Sequence, residues 1–169
     1  MASLSNKRVL ITGASGFTGI HLVEALTKLD NEIVALAHIG SSNEYAIKVD
    51  LNDKEKLKNI LVEYTPDYVV HLAAISFVGH KNDLAFYDVN VLGTQNLLDA
   101  ICELGAKKPK VLIASSANVY GALEKEYICE SDSCEPVNHY AISKLAMEKL
   151  VATYFDKLDI IITRPFNYS

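Results

Sequence analysis

No stretch of this 169-residue chain reaches the ~18 consecutive apolar residues that a membrane helix requires. The opening segment, Met1 to Lys7, is too short and too polar to hold the apolar centre of a secretory signal. A basic surface is missing as well. Acidic residues number 21 against 16 lysines and arginines, for a net charge of −5, and this argues against a DNA or RNA partner, whose phosphates call for a basic face. The short run Lys107-Lys108-Pro109-Lys110 reads as a solvated turn before a strand. Cysteines are few: Cys102, Cys129 and Cys134 are odd in number and lack metal-ligand spacing. No metal site is expected. Free thiols in a reducing cytoplasm fit best, with a Cys129–Cys134 pair as the lesser alternative. Internal repeats, low-complexity tracts and flexible linkers are also absent. The length suits one domain, and a hydrophobic fraction of 50% allows a sizeable core.

Short apolar runs alternate with helical periodicity. Strands are expected at Arg8–Thr12, Glu32–Ala37, Ala46–Val49, Tyr68–Leu72, Lys110–Ala114 and Asp159–Thr163, because unbroken apolar runs suit strands buried on both faces. Helices are expected at Phe17–Leu29, Lys54–Tyr64, Asp83–Leu104 (ended by Gly105) and Val137–Phe155. Such alternation implies a parallel sheet covered on both sides. Right-handed crossovers make a doubly wound α/β sheet the economical topology. Residues Leu123 to Asn138 form the longest irregular stretch, and a loop of that length in a compact domain is often functional. The chain stops directly after a strand, with no closing helix, so a fragment lacking a C-terminal part is expected.

Three segments carry chemistry. Gly13, Gly16 and Gly19 lie between a strand and a helix, where glycines let the backbone turn tightly and approach a pyrophosphate at a helix N-terminus. Their spacing is G-x-x-G-x-x-G, not the usual G-x-G-x-x-G, and the strand–turn–helix setting favours a dinucleotide over an ordinary glycine-rich turn. After the second strand no Asp or Glu appears until Glu44. A carboxylate there would favour NAD; its absence, with His38, Ser41 and Ser42 in its place, leans toward NADP. His38 also fits a surface loop with no ligand role. Asp50 suits either a bond to the adenine amino group or a helix cap. Tyr140 and Lys144 are one helical turn apart and share a face. A phenol titrates near ~10, and a neighbouring ammonium favours the phenolate, so Tyr140 could exchange a proton with a substrate oxygen. Ser116, just past the fifth strand, lies at the edge of the sheet where ligands bind and could hold the same oxygen.

The segments TGASGFTG (12–19), HLAA (71–74), NVLGT (90–94), SSANVYG (115–121), YAISK (140–144) and RPFN (164–167) together resemble the extended short-chain dehydrogenase/reductases, the NAD-dependent epimerase/dehydratase family. The resemblance implies that residues 1–169 form an NAD(P)-binding Rossmann domain and that a smaller substrate domain would follow. It implies a catalytic set of Ser116, Tyr140 and Lys144, with Tyr140 as acid/base and Lys144 on the nicotinamide ribose. Around the dinucleotide it places Ser15, Phe17 and Thr18 of the glycine turn, Leu51 beside Asp50, and Leu72, Ala73 and Ala74. It further places Asn90, near the active-site backbone, Ala114 and Pro165. Asn118 and Asn167 would face a nucleotide-sugar substrate. It also implies a homodimer through the two long helices, on which Leu97, Leu98, Ile101, Leu145, Ala146 and Leu150 are apolar; packing on the sheet within one chain is the alternative for many of them.

Dehydratases of this family carry acidic residues just after the catalytic Ser/Thr; here Ala117 and Asn118 stand there. The implied activity is therefore NAD(P)-dependent reduction of a 4-keto-6-deoxy sugar nucleotide, as in the GDP-4-keto-6-deoxy-mannose reductases. A nucleotide-sugar 4-epimerase is the alternative, and a non-catalytic cofactor-binding protein the third.

Overall fold

A computed structural model describes residues 5–76, 82–122 and 125–166. The apolar runs become β1 (Arg8–Thr12), β2 (Glu32–Ala37), β3 (Ile47–Lys48), β4 (Tyr68–His71), β5 (Lys110–Ala114) and β6 (Ile160–Thr163). They form one parallel sheet in the order β3-β2-β1-β4-β5-β6. The chain builds outward from β1 to one edge, then returns beside β1 and builds to the other. That reversal opens a crevice beyond the carboxyl ends of β1 and β4, which are level because Thr12 pairs with His71.

Successive residues of a strand face opposite sides, and the middle of β1, Val9 to Ile11, is apolar on both. Leu10 joins Val34, Leu36, Val69 and Ile113 in a core closed by the helices α2 (Lys54–Tyr64), α4 (Gly93–Cys102) and α5 (His139–Ala152). Val9 and Ile11 face the other way, against Leu22, Val23 and Leu26 of α1 (Phe17–Thr27). Leu97, Leu98 and Ile101 are wholly buried in the first core. They hold α4 to the sheet, which is the intramolecular alternative and not the dimer face, and present nothing to a second chain.

Local chemistry moves several expected boundaries. The Asn138 side chain accepts from the Ala141 N–H at 2.9 Å, so α5 begins at His139 and not Val137. The Asp53 side chain accepts from the Lys56 N–H at 3.0 Å and caps α2, which removes that role from Asp50. The long helix expected over Asp83–Leu104 is divided into α3 (Leu84–Tyr87), one π-helical turn (Asp88–Leu92) and α4. A π turn inserts a residue and shifts the helix face; here it accompanies a fully buried Asn90. The helix stops at Cys102, capped at Glu103, and Gly105 lies beyond it without the positive φ of a glycine cap. A 3₁₀ turn at Ala117–Tyr120 follows Ser116.

Two glycines make opposite demands. A Cβ on Gly19 would fall 2.2 Å from the Gly13 carbonyl oxygen, whereas one on Gly105 would meet nothing within 4 Å. Gly19→Ala is expected to cost about 1–3 kcal/mol of unfolding free energy through overpacking. Gly105→Ala is expected to leave stability unchanged or raise it by about 0.4–1 kcal/mol. Urea unfolding reads both, and equal stabilities would refute the close approach of α1 to the turn.

Candidate active site

The glycine turn begins where β1 ends. Gly13 has φ +70°, and a Cβ there would lie 2.7 Å from the Ala73 N–H nitrogen, so both conformation and contact require glycine. Gly16 caps α1 without a side chain. A Cβ on it would meet only the Gly13 oxygen, at 3.3 Å, so the space above it is the crevice. The positive end of the α1 dipole points there.

Two cavities of about 470 and 400 Å³ adjoin at this turn, sharing Gly13, Gly16, Leu72 and Ala74; each is of ligand-binding size. The first reaches the ends of β2 and β3, past Ser15, His38, Asp50, Leu51 and Ala73. The second reaches α5, past Phe17, Thr18 and Gly19, then Ala114, Ser116, Tyr140, Lys144 and Pro165. A cleft with an anion-binding turn at its middle and room on both sides fits a dinucleotide whose pyrophosphate sits on the turn. The sequence-based expectations converge on this one cleft, with three exceptions. Asn118 lines neither cavity; its N–H donates to Ser116 Oγ at 3.2 Å. Asn90 lines neither, and its amide is engaged within the protein. Asn167 lies outside the described residues.

Ser116 is buried at the mouth of β5, and Tyr140 is half-buried, its ring 6.3 Å from that of Phe86. Lys144 is 3% exposed and donates from Nζ to the Ala114 carbonyl at 2.8 Å. Burial pushes its ammonium down to about 8, with the Glu148 carboxylate acting in the opposite sense. An ammonium has three donors, so Ala114 leaves others for a ligand in the cleft.

Behind the cleft runs a buried hydrogen-bond chain. The Ala73 N–H donates to Thr12 Oγ1 at 3.2 Å, and Thr12 Oγ1 lies 2.7 Å from His71 Nδ1. His71 Nε2 lies 2.9 Å from Thr94 Oγ1, which donates to the Asn90 carbonyl at 2.7 Å. Because the Thr94 hydroxyl proton is committed to that carbonyl, Thr94 accepts from Nε2–H. Burial pushes His71 down to about 3, so the imidazole is neutral and its Nδ1 accepts from the Thr12 hydroxyl. The Asn90 side chain continues the chain. It exchanges bonds with the Ile75 backbone at 2.9 and 3.2 Å and donates to Ser143 Oγ at 2.9 Å; Ser143 donates to the Tyr140 carbonyl at 2.7 Å. Thr12, Thr94 and Ser143 were missed from sequence. The HLAA and NVLGT segments marked the region without assigning them roles, since each partner is remote in sequence. Asn52 and Asp88, which line the far cavity and bond each other at 2.9 Å, were missed too.

The model of the NAD dependent epimerase/dehydratase family matches residues 9–169. The chain is 39% identical to a GDP-6-deoxy-D-talose 4-dehydrogenase of Aggregatibacter actinomycetemcomitans over 95% of its length and 52% of that protein's. Among solved structures, it is similar to the UDP-glucose 4-epimerase of Brucella ovis in complex with NAD (29% identical, TM-score 0.88), covering 95% of this chain and 52% of that one. It is also similar to RMD of Pseudomonas aeruginosa complexed with NADPH (30% identical, TM-score 0.80), covering 96% of this chain and 55% of that one. The chain therefore spans about half the length of the relatives it matches. Among the described residues no helix is long and apolar enough to cross a membrane.

The neutral His71 makes stability depend on pH. The native imidazole is held at about 3, against 6.5 when unperturbed. The unfolded chain therefore takes up a proton that the native protein refuses. Stability from this group is complete above about 6.5 and is lost as pH falls toward about 3, at roughly 1.4 kcal/mol per pH unit. His71→Gln keeps a donor and an acceptor but cannot titrate. Its unfolding free energy is expected to fall less steeply than wild type between those pH values, in urea titrations at successive pH. Parallel slopes would exclude a buried neutral imidazole.

Proposed function

The chain belongs to the NAD dependent epimerase/dehydratase family, and from that premise we propose that it is the dinucleotide-binding part of an NAD(P)-dependent sugar-nucleotide oxidoreductase. The reaction we assign is interconversion of a 4-keto and a 4-hydroxy group on an NDP-6-deoxy-hexose, with a GDP-6-deoxy sugar as the substrate class. One observation carries this reading: Ser116, Tyr140 and Lys144 line the same cavity as the glycine turn. The 39% identity to a 4-dehydrogenase of a GDP-6-deoxy sugar supports the substrate class.

In the reductive direction Tyr140 gives its hydroxyl proton to O4 as C4 becomes tetrahedral. Ser116 Oγ, held by the Asn118 N–H, donates to the same oxygen. Lys144, anchored on the Ala114 carbonyl, would hold the ribose hydroxyls of the dinucleotide with its remaining donors and would offset the negative charge left on Tyr140. When bound, the reduced nicotinamide supplies the hydride that C4 receives. In the reverse direction Tyr140 takes the proton back. The 3₁₀ turn after Ser116 presents Ala117 and Asn118, neither of which can protonate a leaving hydroxyl, so dehydration is not assigned. A 4-epimerase is the second reading, favoured by the fold match to UDP-glucose 4-epimerase. It uses the same three residues with no net redox change.

NADP is slightly favoured over NAD. β2 ends at Ala37-His38 without a carboxylate, and a side pocket there is lined by Ser15, His38, Ser41 and Ser42. Lys48 Nζ fixes this loop by donating to the carbonyls of Ser41 (2.7 Å) and Asn43. The free thiols of Cys102, Cys129 and Cys134 suit the cytoplasm, where we place the protein.

We assign the homodimer to the outward sides of the α3–α4 segment and α5. Leu84, Leu92 and Ile142 are 75%, 49% and 39% exposed there, while Leu145, Ala146 and Leu150 are half-buried. Light scattering on the full-length protein is expected to give twice the chain mass, and Leu92→Glu with Ile142→Glu is expected to give the monomer. A wild-type monomer at micromolar concentration would reject the dimer.

For the chemistry, stopped-flow oxidation of NADPH and NADH by the full-length protein is expected with a GDP-4-keto-6-deoxy sugar, at least as fast with NADPH. Tyr140→Phe is expected to lower turnover by about 10²–10⁴-fold with cofactor affinity nearly intact. Gly16→Val is expected to lower cofactor affinity itself. Undiminished turnover in Tyr140→Phe would show that another group is the acid, and isomerisation of a sugar nucleotide without net cofactor oxidation would favour the epimerase.

A further inference from the structure

Beyond Lys144, α5 carries a second buried charge. Glu148 lies one turn after Lys144, as Tyr140 lies one turn before it, so the three share a helix face. Glu148 is 7% exposed. Its carboxylate is gripped by Arg164, whose Nε donates at 2.9 and 3.2 Å and whose Nη2 donates at 2.6 Å. Nη1 donates to the Tyr120 hydroxyl at 2.9 Å and the Glu130 carbonyl at 3.2 Å, and the guanidinium lies 5.0 Å from the centre of the Tyr120 ring. Arg164 precedes Pro165, whose carbonyl accepts from the Ala117 N–H at 2.9 Å. One guanidinium thus joins α5, the turn after Ser116, the Glu130 loop and the segment that closes the cleft. Buried ion pairs often contribute no more stability than apolar residues of similar volume. The pair therefore calls for a reason other than stability.

We propose that Glu148, fixed by Arg164, is a positioning residue that acts through Lys144, keeping its ammonium charged beside the cleft. Burial drives Lys144 toward the neutral amine, and the Glu148 carboxylate is the group that opposes this. The other groups around Lys144 do not replace it. Tyr140 shares its helix, His71 on β4 is neutral, and Arg164 after β6 carries a positive charge of the opposing sense. The multiple bonds from Arg164 stop the carboxylate from swinging away, and Arg164 itself is held protonated by Glu148. Why the charge matters rests on the function proposed above, but the charge can be read without turnover.

The test is trace acetylation of the full-length protein with acetic anhydride across pH, with Lys144 modification read by mass spectrometry, since only the neutral amine reacts. In wild type the reactivity is expected to rise through about 8. In Glu148→Gln the inflection is expected roughly one pH unit lower, the usual scale for losing a nearby opposite charge. If the orphaned guanidinium unfolds that variant, adding Arg164→Met removes it, and the inflection is still expected below wild type. An unmoved inflection in a folded variant overturns the proposal. Failure to turn over any sugar nucleotide would instead overturn the assigned reaction and leave the labelling result standing.

Discussion

The neutral imidazole of His71 is the constraint on which the rest of the site depends. It lies at the carboxyl end of β4, level with Thr12 at the end of β1, and bonds across the gap between strand and helix. Through Thr12 it fixes the Ala73 N–H, and Ala73 is the residue against which Gly13 packs. Through Thr94 and Asn90 it fixes Ile75, and Asn90 passes the constraint to Ser143 and the backbone of Tyr140. Each hydroxyl in the run both donates and accepts, so every proton position follows from its neighbours. A protonated imidazole would turn Nδ1 into a second donor and break the order. Such networks are costly if half-satisfied and rigid if complete; this one is complete.

The cleft combines two requirements that oppose each other. A nicotinamide dinucleotide and a proton donor need a dry, shaped site, and dryness penalises the ammonium that must sit beside them. The protein meets both demands through its backbone. The pyrophosphate of a bound dinucleotide would face a glycine turn and a helix dipole, which carry no titratable group and need no desolvation of a charged side chain. Among the described residues lining the cleft, Lys144 is the buried cation, and it is supported by one carbonyl and one carboxylate. Concentrating the charge problem at Lys144 explains why the buried face of α5 carries Ser143, Lys144 and Glu148 among its apolar residues.

Element types and order were legible in the sequence because strands buried on both faces and amphipathic helices have different periods. Every expected strand and helical region occurs; a side-chain cap sets the start of α5, and the other ends that moved did so by a few residues without one. Three features were not legible. The π turn at Asp88–Leu92 leaves no mark in a helical pattern that is apolar on both sides of it. The choice between an inward and a dimer role for Leu97, Leu98 and Ile101 could not be read, because periodicity gives a stripe but not its partner. The engagement of Asn90 by Ile75 and Ser143 required long-range proximity, which a single sequence does not contain. The cleft residues fared better, since motif position relative to a strand end fixes the edge of the sheet on which they lie.

The three glycines show why a motif can be right while its residues differ in kind. Gly13 is required by its backbone angle and by Ala73. Gly19 is required because α1 presses on the turn, with the Gly13 oxygen where a Cβ would go. Both demands belong to the folded protein and would persist with no ligand at all. Gly16 is different: its α-carbon faces the shared space of both cavities, and the protein itself tolerates a Cβ there with a few tenths of an ångström of movement. Spacing treats the three alike, yet only at Gly16 does the absence of a side chain serve the cleft more than the fold. The protein itself constrains Gly16 least of the three, so under the proposed function the glycine there would serve the bound dinucleotide rather than the fold.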